Sequence, residues 1–140
     1  MQNFDSDKAA RVWQRVRSEA PTAQELSGLP ALVMLETELE AYFRRLARRH
    51  PTATELAGEC RRSAQTLRGI CGFAGIPCEA AAFTGNTPNR LLQTCYGKSL
   101  QALREYEARQ THPEYGCAFG VMAERKRRQA CLLLEMAGKG

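Results

Sequence analysis

At 140 residues, 44% hydrophobic and 25% charged, the chain has the make-up of one globular domain large enough to bury a core. No run approaches the roughly 20 apolar residues of a membrane span, so a membrane protein is excluded as an expectation. The net charge of +5 rests mainly on arginines scattered over several segments, which predicts solvated helix faces, and nucleic acid is not an expected partner.

In chain order, the pattern is helical throughout, with no sustained strand-like alternation. A short helix is expected over 7–18, with Ala9, Val12, Trp13 and Val16 on one side. Residues 22–25 have the spacing of a capping box, and Gly28 and Pro30 then interrupt. This divides the chain into an N-terminal helical segment, 1–28, and a four-helix bundle, 29–140. The opening stretch 1–7 (MQNFDSD) is acidic and lacks the apolar run of a signal peptide.

The first bundle helix is predicted over 30–49, ending at His50-Pro51. The capping box TATE, 52–55, opens the second, which ends between Gly72 and Gly75. Thr87-Pro88 reads as an N-cap followed by proline at the first helical position, opening a third helix that ends near Gln110. His112-Pro113-Glu114 opens the fourth, which stops at Gly138. The first and third breaks are short, so they predict antiparallel hairpins. The middle link, 76–87, is longer. A helix of about 21 residues is roughly 32 Å long, and about twelve extended residues reach roughly 40 Å. The link can therefore cross the whole bundle.

Each apolar stripe carries a polar interruption. In the first helix Glu36 lies among Leu32, Leu35, Leu39 and Phe43. In the second, Glu59 sits at the edge of the stripe Leu56, Cys60, Ser63 and Leu67, with Arg62 one turn on. In the third, Ser99 falls between Cys95 and Leu103, with Tyr106 further along. In the fourth, Lys126 and Gln129 lie between Met122 and Leu133. An unpaired cation facing the core is expensive, so Lys126 requires a carboxylate partner.

On the segments 35–48 (LETELEAYFRRLAR), 56–69 (LAGECRRSAQTLRG) and 95–134, including YEAR and HPEYG, the chain resembles the ferritin-like superfamily, specifically small bacterial rubrerythrin-like proteins. The resemblance implies an all-α, ferritin-like four-helix bundle with a short extra N-terminal helix. The family holds two iron or manganese ions between its helices, with one Glu from each of two helices and a Glu-x-x-His from each of the others.

Carried over by position, Glu36 and Glu59 match the metal carboxylates. Arg62 stands for the first His, Ser99 for the third helix's Glu, and Lys126 and Gln129 for the last Glu and His. The expectation is a degenerate site in which Glu36 and Glu59 pair with Lys126, and with Arg62, in place of metal. The resemblance then implies a non-enzymatic pseudo-ferritin without catalytic or cofactor-binding residues, acting as a structural or interaction protein with a second copy or another protein. The alternative is a residual iron- or manganese-binding oxidoreductase.

His50 and His112 precede prolines at helix ends and read as capping or loop residues. Cys60, Cys71, Cys78, Cys95, Cys117 and Cys131 contain no C-x-x-C pair, which argues against a zinc site. With neither a signal-peptide run nor a membrane span in view, the expectation is a cytoplasmic protein with reduced thiols.

Overall fold

The computed structural model describes residues 26–138. The helix expected over 7–18, with Trp13, lies outside them. Four helices are present among the described residues: α1, Leu29–Leu46; α2, Ala53–Ala74; α3, Leu91–Glu107; and α4, Gly116–Gly138. The described chain is all-α, and no helix in it is long and apolar enough to cross a membrane.

The inner face of α1 is the line Leu29, Leu32, Glu36, Leu39, Phe43 and Leu46, three to four residues apart and all buried. On α4 the same spacing buries Phe119, Met122, Lys126, Gln129, Leu133 and Met136. Each fully buried Leu or Phe contributes about 1.5–3 kcal/mol, so these stripes dictate which face of each helix turns inward. Leu26, helical and just ahead of α1, is also part of the core.

The helix packing defines a ring in the order α1, α2, α4, α3, so that α2 and α3, consecutive in the chain, lie diagonally across it. The ends of α1 and α4 and the start of α3 line one cavity, and α2 starts beside the end of α1. At the opposite end, Arg109, just past α3, lies against Gly28, just before α1. Hence α2 and α3 run parallel, and the non-helical residues 75–90 between them return along the full length of the bundle. On the way Phe83 packs edge-on against Tyr42 of α1, with ring centroids 5.2 Å apart. Arg45 donates to the Gly85 carbonyl at 3.1 Å and to Thr87 Oγ1 at 2.9 Å.

Helix ends follow the sequence in some places only. Gly75, at φ 72°, terminates α2: its N–H and that of Ile76 bond back to Gly72 and Cys71 carbonyls at 3.4 and 2.8 Å. His112 caps the turn into α4, its Nδ1 accepting the N–H groups of Glu114 and Tyr115 at 3.1 and 3.2 Å. Two expected caps are corrected. Thr52 is already in helical conformation and makes no side-chain cap, because successive tight turns from His50 to Glu55 satisfy the first N–H groups. Thr87 accepts from Arg45 instead of capping, and α3 begins later, at Leu91 with Arg90 at its N-cap.

Candidate functional site

Halfway along the bundle, one polar residue from each helix meets the others at the centre: Glu36 of α1, Cys60 of α2, Tyr106 of α3 and Lys126 of α4. The stripes put them there. Glu36 lies one turn from both Leu32 and Leu39, and Lys126 one turn from both Met122 and Gln129, so neither can turn outward without exposing its apolar neighbours.

Lys126 and Glu36 are fully buried, and their side chains form an ion pair at 2.6 Å. The lysine ammonium has three protons, and each finds an acceptor: Glu36 Oε1, Gln129 Oε1 at 2.9 Å and Cys60 Sγ at 3.6 Å. The other Glu36 oxygen accepts the Tyr106 hydroxyl. Gln129 Nε2 donates onward to Glu59 Oε1 at 3.1 Å, and Glu59 Oε2 takes Arg128. A continuous chain of hydrogen bonds therefore runs from Tyr106 through Glu36, Lys126, Gln129 and Glu59 to Arg128 at the surface. Along it, exposure rises from nil at Lys126 to 46% at the Arg128 side chain.

The electrostatics favour the protonated forms of Lys126, Tyr106 and Cys60. Burial opposes the Lys126 ammonium, but the charge of Glu36, with Cys60 adding to it, prevails and its pKa is raised. Burial, then Glu36, pushes the Tyr106 phenol well above its ordinary value, so it remains a donor. Burial likewise pushes the Cys60 thiol up, against the opposing pull of Lys126. Cys95, near the start of α3, is raised to about 12 by burial, with Lys126 lowering and Glu38 adding to it. None of these four groups is poised to exchange a proton at neutral pH, and Cys60 is not an activated nucleophile.

The sequence-derived site residues divide into those that meet and those that do not. Glu36 and Lys126 come together as expected, and Gln129 joins them as a further acceptor. Ser99 is buried in the α3 stripe, with no hydrogen-bond partner for its hydroxyl among the described residues. Glu59 does not pair with Lys126: at the stripe's edge it reaches the rim, where Arg128 and Gln129 hold it. Arg62 is corrected outright, since it is exposed on the outer face of α2. In the sequence Tyr106 and Cys60 read as members of the apolar stripes. The missed signal is that a buried tyrosine hydroxyl needs a partner, and Glu36 offers a second oxygen.

This donor set does not fit a pair of divalent metal ions. The protonated Lys126 has no lone pair to give and adds a positive charge, while Gln129 Oε1 is already engaged. His112 is committed to a backbone cap, and His50 lines the cavity at the bundle's end. Among the described residues no three His, Cys, Asp or Glu side chains are grouped to hold a metal. Comparisons with protein-family models, curated proteins and solved structures give no match for this chain.

Proposed function

We propose that the protein is a ferritin-like bundle in which an internal lysine occupies the place of a di-metal centre, and that it is a non-enzymatic structural or interaction protein. The observation that carries this reading is the fully buried Lys126–Glu36 pair, with every ammonium proton accounted for. One ammonium balances one carboxylate at the point where the family's pattern would place cations among carboxylates. The lengthwise crossover between parallel α2 and α3 supports the ferritin-like part of the reading. The high pKa values of the buried phenol and thiol support the absence of acid–base or nucleophilic chemistry there.

The test is elemental analysis after anaerobic incubation with iron(II) or manganese(II) and removal of excess metal. We expect no stoichiometric metal on the protein. A retained metal pair per chain would overturn the reading and restore the oxidoreductase alternative.

A further inference from the structure

At the end of the bundle where α1 and α4 finish and α3 begins lies a cavity of about 620 Å³, apart from the lysine site and independent of the function proposed for it. Arg45, Arg48, Arg49 and Arg90 line it, together with His50, and no Asp or Glu is among the described residues that do. Arg45 is occupied in holding the crossover. Among the described residues, none of Arg48, Arg49 and Arg90 is in an ion pair, although other arginines of the bundle are.

The position of Arg90 is the informative one. Arginines just past α1 complement that helix's negative C-terminal end. Arg90, however, is the N-cap of α3, where the helix presents its positive end and a cation is unfavourable. Its side chain makes no cap hydrogen bond. The first hydrogen bond within α3 is from Thr94 N–H to the Arg90 carbonyl at 2.9 Å, so the N–H groups of Leu91, Leu92 and Gln93 have no helical acceptor. All three of these residues line the cavity. Three arginines without an ion pair and the first residues of a helix thus border one hollow, with no carboxylate among the described residues of its wall.

We propose that this cavity binds a small anion carrying two or more phosphate groups. Phosphate is the ligand that planar guanidinium groups grip through paired hydrogen bonds. One phosphate carries at most about two negative charges, fewer than Arg48, Arg49 and Arg90 together supply, which favours a di- or triphosphate. The volume is that of a ligand pocket rather than a single-ion site, and Leu92 and Met136 give it an apolar wall.

The experiment is calorimetric titration at low salt with pyrophosphate and, separately, adenosine triphosphate. We expect saturable binding that weakens about tenfold or more in Arg90→Glu, the effect of losing one charge-assisted contact and reversing its charge. Arg104→Glu, an equal charge change on an exposed residue in the last turn of α3, is expected to leave it within about twofold. Circular dichroism checks that both variants are folded. Similar affinity for the two probes supports an inorganic ligand, and tighter adenosine triphosphate binding supports an organic one. The proposal is overturned if neither probe binds, or if Arg104→Glu weakens binding as much as Arg90→Glu. Binding of single-stranded DNA with no binding of the small probes would also overturn it.

Discussion

The Lys126–Glu36 pair is stable only as a unit. Buried ion pairs often add little net stability, because desolvation offsets the attraction, but removing one partner leaves the other charged or forces it to neutralise. Lys126→Met is therefore expected to lower unfolding free energy by about 3–5 kcal/mol. Glu36→Leu should do the same, because it strands both Lys126 and the Tyr106 hydroxyl. The double variant Glu36→Leu/Lys126→Met should lie well above the sum of the two losses, and adding Tyr106→Phe should recover more by removing the unpaired hydroxyl. Urea unfolding of the parent and these four variants measures this. A Lys126→Met protein within about 1 kcal/mol of the parent would mean that the pair is not held inside as described. This centre was legible in the sequence because a charge in the middle of a 3.6-residue stripe has nowhere else to go. The partner of Glu59 was not. Glu59 sits at a stripe edge, where Arg62 of its own helix and Arg128 of the facing one both compete, and the packing of α2 against α4 decides.

At the scale of the elements, helix interiors follow the apolar period and helix ends follow local backbone geometry. The turn between α3 and α4 shows how exacting that geometry is. A Cβ on Gly116 would fall far inside contact distance of the Gln110 carbonyl oxygen, an atom fixed in the backbone. Gly116→Ala should therefore cost about 1–3 kcal/mol, as overpacking does, despite alanine's better helix propensity. Thermal unfolding would report it, and an unchanged or raised midpoint would contradict the described turn. Such a constraint was not visible in the residue string, where Gly116 falls in the first turn of a helix expected to open at His112-Pro113-Glu114. The Gly75 stop was visible, because glycine after a long apolar period has one common meaning. Thr52 and Thr87 misled for the converse reason: a threonine before a helix resembles a cap until a preceding turn or an arginine from another helix takes its place.

For the molecule as a whole, the buried groups make a joint statement about pH. Cys95 is raised from 9.0 to about 12, Tyr42 from 10.0 to about 12, and Lys126 and Tyr106 lie above their ordinary values. A group whose folded pKa is raised binds its proton more tightly in the fold. Its stabilisation is complete below the unfolded pKa and is lost as pH climbs through the folded one. These groups should therefore leave stability level from about pH 7 to 9 and erode it above, Cys95 alone by up to about 1.4 kcal/mol per pH unit within its window. Urea midpoints between pH 7 and 12 test this, and they also decide the state of Lys126. If burial outweighed Glu36, the lysine would be neutral in the fold and charged in the unfolded chain, and stability would rise with pH before the fall that begins near about 9. A flat stretch followed by a fall indicates the charged pair. A rise shows an uncharged lysine, whose free lone pair would make it a metal ligand or a nucleophile, and the non-enzymatic reading would fail with it.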